Sequence, residues 1–285
     1  MSSEAGVAAD RCALSHLPGC GVASRRVLAL AGVNSFRLAG VDVPRIGLGT
    51  NRLTTAPEHV AFVRDAVAAG VRHIDTAHLY TGGQSERAIG EALEGVADDV
   101  LVATKGGYGA GEGRPEVLGA QIEQSLRSLR AEAIGLYYLH RVDPETPLEE
   151  SLGAIKAYVD RGAIRHVGLS EVSVQQIERA RRIMEIAAVQ NRYNLAQRRH
   201  DEVVDFCERE RIAFVPYYPL RGDGGPGVAA TAERLGVTEN TVKLAWLLRR
   251  SPVVLPIPGT LSIEHLRENL AALELDLGDA HHIAA

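Results

Sequence analysis

The chain has 285 residues, with 36 acidic and 31 basic side chains for a formal charge of −5, and it is 46% hydrophobic and 24% charged. This is ordinary globular composition, long enough for one large α/β domain or two ordinary ones. The charge balance gives no electrostatic ground for a nucleic-acid or anionic-membrane partner, and no apolar run approaches the roughly 20 residues that span a bilayer.

Cys12, Cys20 and Cys207 are scattered and odd in number. They argue against a disulfide framework and fit a reducing compartment. Residues 25–33, RRVLALAGV, faintly resemble a twin-arginine export signal. Their apolar part is short, and the residues after it read as the start of a fold rather than a cleavage site, so a cytoplasmic location is expected. Residues 1–34 are rich in Ala, Ser and Gly without a sustained period. They are expected to form a poorly ordered extension ahead of a single domain over 35–285.

Taken in chain order, residues 36–49 (FRLAGVDVPRIGLG) alternate around a Gly-Val-Asp turn, which predicts a short N-terminal β-hairpin leading into the first strand. Short apolar runs then alternate with amphipathic stretches. The expected strand 45–49 precedes a helix over 59–69, and strand 73–77 a helix over 85–94. Strand 100–105 precedes helix 115–130, strand 134–140 helix 148–161, and strand 166–170 helix 173–184. Strand 188–193 precedes helix 200–210, strand 213–218 helices 227–235 and 239–249, and strand 253–257 helix 263–273. Strands alternating with helices indicate βαβ units and a parallel sheet. Eight such units in about 250 residues match an α/β (β/α)8 TIM barrel better than an open sheet.

In such a barrel the chemistry sits at the carboxyl ends of the strands. HIDTAHLY places Asp75 at one strand end and Tyr80 in the loop beyond, VATK places Lys105 at the next, and YYLH places His140 at a third. A free tyrosine is a weak acid with a pKa of about 10. A nearby ammonium stabilises its phenolate and is expected to lower that pKa, while an aspartate offsets the cost of keeping a buried lysine charged. A histidine donor orients a substrate carbonyl, and the tyrosine supplies the proton. Side chains donate no hydride, so such a reduction needs a nicotinamide cofactor. Taken singly, Lys105 also suits a Schiff-base aldolase or a plain ion pair, while His140 and Tyr80 suit ordinary packing. A metal-dependent hydrolase is a weaker alternative. His73 starts its strand and is expected to point away from the rim, and no HxH or HExxH spacing is present, so no metal is expected.

The phrases GVRHIDTAHLYTGGQSERAIGEAL, VLVATKGG, LYYLHRVD, HVGLSEVS, VQNRYNL and PIPGTLSIEHLRENL resemble those of the aldo-keto reductase family, most closely its compact bacterial, pyridoxal-reductase-like members. The resemblance implies a (β/α)8 barrel that reduces aldehydes and ketones with NADPH, NADH not being excluded. It makes Tyr80 the general acid, Lys105 and Asp75 its tuning pair, and His140 the carbonyl-orienting donor. It also allows a redox-sensing, NADP-binding regulatory barrel with slow turnover.

No GxGxxG follows the first strand, which argues against a Rossmann domain. By resemblance the cofactor lies across the barrel mouth, with Gly49, Thr50, Asp75 and Ile257 among its contacts. Ser170, Glu171 and Gln190 would bind the carboxamide, Tyr217 would stack on the nicotinamide, and Leu220, Arg221 and Gly222 would touch the pyrophosphate. Gly259, Thr260 and Ser262 open the last helix, whose N-terminus suits an anion. Many relatives carry Asn where this chain has Glu171, and Lys and Arg where it has Gly259 and His265. The strongest bidentate contact to a 2′-phosphate is therefore missing. Glu268 and Asn269 match the adenine-binding pair.

The substrate, a small-molecule carbonyl, is expected in a shallow site, because only residues 276–285 follow the last helix. Leu53, His78, Leu79, Tyr108 and Arg141 are candidate wall residues, with Tyr108 on a mobile glycine-rich loop over 106–115. Arg141 suits an anionic substrate, but pairing with Asp143 at the surface is the expected arrangement. Oligomeric state is not legible.

Overall fold

The computed structural model describes residues 34–96, 99–278 and 283. The twin-arginine-like stretch, Cys12, Cys20 and all of the expected extension except Asn34 lie outside the described residues.

Strands β1 (Ser35–Leu38) and β2 (Val41–Pro44) pair antiparallel, with Leu38 opposite Val41. The turn falls at Ala39–Gly40, ahead of the Gly-Val-Asp expected, with φ of 48° and 81°. Two successive left-handed residues supply the twist of a two-residue hairpin, and Gly40 takes its share without a Cβ clash.

Seven parallel strands follow in sequential order: β3 (Leu48–Gly49), β4 (His73–Asp75), β5 (Leu101–Gly106), β6 (Ile134–Leu139), β7 (Ile164–Ser170), β8 (Ala188–Gln190) and β9 (Ala213–Phe214). Each connection carries a helix: α1 (Pro57–Ala68), α2 (Gln84–Ala92), α3 (Pro115–Leu129), α4 (Leu148–Asp160), α5 (Val174–Arg181) and α6 (Asp201–Glu210). Helices α7 (Gly225–Leu235), α8 (Glu239–Arg250) and α9 (Ile263–Ala271) come after β9. Several starts have a local cause. Pro57 and Pro115 sit in the first turns of α1 and α3, where no N–H is needed. Ser173 and Gln176 form a capping box on α5, and Thr238 and Ser262 cap α8 and α9.

In place of the strand expected over 253–257, Val254 forms an isolated bridge with Phe214 and Gly259 forms one with Gly49. Leu255 N donates to Phe214 O at 2.8 Å on one side, and Pro256 O and Pro258 O accept from Gly47 N (3.0 Å) and Gly49 N (3.2 Å) on the other. Pro256 and Pro258 have no N–H, so a continuous ladder cannot form along the segment. The same segment thus bonds to both edges of the sheet, and the sheet is curled into an α/β barrel.

Side chains alternate along each strand. On β6, Leu136 and Tyr138 join an inner cluster with Ala103, Ala188, Val215 and Leu255, while Tyr137 and Leu139 pack outward among the helices. Leu38 and Val43 of the hairpin belong to the inner cluster as well, beside Leu101 at the start of β5. The hairpin therefore covers the strand-start end of the interior and leaves the opposite end open. Gly168 lets the Tyr138 ring lie across β7, since a Cβ there would fall 2.4 Å from the ring.

Candidate active site

The alternation that builds the core also gathers the site. One inward side chain from each of five successive strand ends converges at the open end: Asp75, Lys105, His140, Ser170 and Gln190. Lys105 and Tyr138 are register partners across β5 and β6, as are Ser170 and Gln190 across β7 and β8.

Lys105 is fully buried. Its Nζ donates to Asp75 Oδ1 at 2.6 Å and to Thr76 O at 2.7 Å. Asp75 Oδ2 accepts from Gln190 Nε2 at 2.8 Å, and Asp75 O accepts from Thr50 Oγ1 at 2.8 Å. Burial acts to lower the Lys105 pKa, but Asp75 and Tyr80 outweigh it and leave the ammonium above its ordinary value. The lysine is thus a fixed positive charge.

Tyr80 opens a short 3-10 turn (Tyr80–Gly83) ahead of α2, with the Lys105 ammonium 5.1 Å from its ring centroid. Thr81, Gly82 and Gly83 have φ of 48°, 64° and 80°. Thr81 is held in this costly conformation by donating its hydroxyl to Leu53 O at 2.5 Å. The tyrosine is not more acidic than usual, contrary to the expectation. Lys105 lowers its pKa, but burial is the larger effect and leaves the phenol above its ordinary value. The group is therefore a phenol, proton in place, at neutral pH.

His140 sits across from Tyr80, ring centroids 6.2 Å apart and nearly perpendicular. Burial, Lys105 and Arg141 together depress its pKa to about 2, so the imidazole is neutral. Its Nδ1 is buried without a hydrogen-bond partner among the described residues. His73, at the start of β4, is not among the residues that line the cavity at the rim. It shares the inward face with Asp75, because residues two apart on a strand face the same side. Its ring is fully buried with both nitrogens unpartnered among the described residues, and burial, with Lys105, pulls its pKa to about 4 against the pull of Asp75.

A cavity of about 480 Å³ opens over this cluster. Of the expected residues, Gly49, Thr50, Asp75, Leu79, Tyr80, Tyr108, His140, Arg141, Ser170, Gln190, Tyr217, Ile257 and Gly259 line it. Lys105 lies beneath the floor. Leu53, expected in the substrate wall, is fully buried in the outer core and presents no face to the cavity. His78 is not in the wall.

Leu220, Arg221, Gly222, Thr260, Ser262, His265, Glu268 and Asn269 lie outside the cavity lining. Gly222 O accepts from Lys243 Nζ at 2.9 Å, the Ser262 hydroxyl caps α9 through His265 N at 3.2 Å, and Glu268 accepts from Thr238. His265 is exposed. Glu171 lies outside the lining too. Its carboxylate accepts from Arg192 N and Arg199 Nη2, both at 2.5 Å, so most of its capacity is used within the protein. Burial raises its pKa, but His200, the Arg192 N–H and the Tyr217 hydroxyl outweigh this and hold it near 2.

Arg141 does not pair with Asp143. Asp143 instead accepts from Gly111 N (3.0 Å), Gly113 N (2.8 Å), Glu145 N (2.9 Å) and Thr146 Oγ1 (2.8 Å), tying down the base of the loop that carries Tyr108. Tyr108 on that loop is 51% exposed, with its N–H donating to Glu112 Oε2 at 3.0 Å and its ring 4.8 Å from that of His140. Sequence reasoning missed Asn51, Thr81, Tyr218 and Pro219 in the wall. The turn residues Thr81–Gly83 carry a signal only in retrospect, and the Thr76 carbonyl that holds Lys105 carries none, because a backbone acceptor has no residue type.

Among the described residues no cluster of His, Cys, Asp and Glu is built to hold a metal ion, and no helix is long and apolar enough to cross a membrane. A parallel α/β barrel with a protonated phenol, a buried ammonium–carboxylate pair and a neutral imidazole at its strand ends defines a barrel of the oxidoreductase class. The model of the Aldo/keto reductase family matches residues 45–225 and 226–284, and the chain belongs to that family. Pyridoxine 4-dehydrogenase of Escherichia coli is 36% identical over 271 residues, covering 86% of this chain and 95% of that one. The crystal structure of a thermostable aldo-keto reductase in complex with the inhibitor epalrestat superimposes with a TM-score of 0.81 at 30% identity, covering 88% of this chain and 98% of the other. An aldo/keto reductase from Klebsiella pneumoniae, solved with NADP and acetate, gives a TM-score of 0.78 at 29% identity, covering 86% and 92%.

Proposed function

We propose that this chain is an NADP-dependent carbonyl reductase, acting on an aldehyde or ketone with Tyr80 as general acid. The observation that carries the reading is the Lys105–Asp75 pair, 2.6 Å apart and shut off from water directly beneath the Tyr80 ring. The domain runs over 35–285, and residues 253–259 serve as the eighth stave of a closed (β/α)8 barrel.

The cavity wall fits a nicotinamide. Ser170 and Gln190 offer hydroxyl and carboxamide partners to an amide, and Tyr217 offers a flat ring to a flat ring. Gly49 and Gly259 keep the opposite wall at backbone thickness, since a Cβ on Gly49 would fall 2.8 Å from Ile257 O. Leu220, Arg221, Gly222, Thr260, Ser262, His265, Glu268 and Asn269 would hold the remainder of the dinucleotide. When bound, the cofactor supplies hydride to the carbonyl carbon. Tyr80 delivers its proton to the carbonyl oxygen as the C–O π bond breaks. Lys105 stabilises the phenolate left behind, and Asp75 keeps that lysine charged and aimed. Neutral His140 orients the carbonyl oxygen as a hydrogen-bond donor without competing for the proton.

Purified protein should oxidise NADPH with 4-nitrobenzaldehyde, and NADPH should quench its fluorescence. Tyr80→Phe should lower turnover by about 10²–10⁴-fold, the usual worth of a positioned acid, with nucleotide quenching nearly intact. Turnover equal to that of the unaltered enzyme would remove Tyr80 from the mechanism.

A further inference from the structure

Among the described residues of the cavity wall, Arg141 carries a charge that nothing in the wall balances. Asp75, the other charged residue of the lining, is neutralised by Lys105 at 2.6 Å. Among the described residues Arg141 has no carboxylate within 4.0 Å, and the partner expected for it, Asp143, is committed to the backbone of the neighbouring loop. Its contacts are neutral oxygens: Nη1 donates to His140 O at 2.6 Å and to Ser170 Oγ at 3.0 Å, and Nη2 to Tyr217 OH at 3.4 Å. The guanidinium carbon lies 5.2 Å from the Tyr108 ring and 5.8 Å from the Tyr217 ring. Two aromatic rings and three acceptors thus fix the position of a half-buried cation at the mouth of the site. A guanidinium has five donors in a planar fork, which matches a carboxylate in two parallel bonds. Half-burying one without an anion is costly, and a ligand that brings the anion recovers that cost. The charge also reaches the chemistry, since Arg141 helps to depress His140 and acts to lower Tyr80.

We propose that Arg141 determines substrate specificity: the carbonyl compound that this site reduces carries a carboxylate, which docks on the guanidinium between Tyr108 and Tyr217. This rests on the carbonyl-reductase reading and adds the substrate's charge to it.

The test compares 2-, 3- and 4-formylbenzoic acids with their methyl esters, using the whole protein with NADPH. Each pair differs in charge while the reacting aldehyde is kept. For at least one position, the acid should exceed its ester at least tenfold in kcat/KM, with the gain mostly in KM. In Arg141→Met that ratio should collapse to within about threefold of one, while Arg141→Lys should retain part of it. NADPH quenching should stay within about threefold in both variants. Three results overturn the proposal: no acid preferred over its ester, a preference that survives Arg141→Met, or equal losses for acid and ester together with weaker nucleotide binding. The last would make Arg141 a positioning residue for Ser170 and Tyr217. Esters reduced by the unaltered enzyme but not by Tyr80→Phe, without preference for any acid, would leave the reductase reading standing and defeat this one. No carbonyl reduction at all would defeat both.

Discussion

Replacing Lys105 by methionine removes one half of an ion pair that is almost wholly shut off from water, 0% exposed at the lysine and 2% at the aspartate. At 2.6 Å the pair's attraction is about 6 kcal/mol for an effective dielectric constant of 20. Desolvating the two ions costs several kcal/mol each, so the intact pair stands near balance. With one partner gone the desolvation remains and the attraction does not, and such a break costs about 3–5 kcal/mol. The Thr76 carbonyl also loses its donor at 2.7 Å. Lys105→Met should therefore lower the unfolding free energy by about 3–5 kcal/mol in urea, or the melting temperature by about 6–20 °C for a domain of this size. Lys105→Met with Asp75→Asn removes both charges and should recover much of the loss, giving a coupling energy of at least about 2 kcal/mol in the double-mutant cycle. Additive losses, with a coupling below about 0.5 kcal/mol, would refute the picture of a buried, mutually dependent pair.

Two pH dependences arise from the same cluster. Burial leaves the Tyr80 phenol above its ordinary value of 10.0, and reduction needs its proton, so activity should stay level through neutral pH and fall only in strong alkali. No inflection should occur near 6.5, because His140 is held at about 2, and a limb there in the kcat/KM profile would show that histidine titrating. His73 has a folded pKa of about 4, depressed from 6.5. Below about 6.5 the unfolded chain takes up a proton that the folded chain refuses, so stability should fall as pH drops from about 6.5 to about 4, by up to roughly 3 kcal/mol. Urea midpoints at pH 7 and pH 5 should separate less in His73→Asn than in the unaltered protein. An equal separation in both would assign the acid loss to other groups.

The lesson of Glu171 and Arg141 is one of competition among partners. Position 171 has φ of 55°, a left-handed conformation that asparagine tolerates better than most residues, which gives a backbone reason for the Asn that many relatives carry there. Glutamate at that position meets Arg192, Arg199 and His200, which lie 21, 28 and 29 residues further along the chain and take up its carboxylate. Arg141 and Asp143 are neighbours in sequence, yet Asp143 is claimed by four donors, all of them backbone or side-chain groups of its own turn and the facing loop. Adjacency in a chain predicts an ion pair only where nothing better oriented competes.

The linear chain by itself determined the rhythm of strands and helices, the helix starts near Pro115 and Ser173, and the membership of Asp75, Tyr80, Lys105 and His140 in one site. These are local matters: apolar period, capping chemistry and the parity of residues along a strand, which the residue types themselves dictate. Tertiary structure alone decided that residues 253–259 bond to both sheet edges, that Leu53 belongs to the core, that His73 lies under Asp75, and that Arg141 faces the cavity uncompensated. It alone decided the acidity of Tyr80 as well, because desolvation depends on the atoms packed around a group, and in that pocket their exclusion of water outweighs the ammonium beside it.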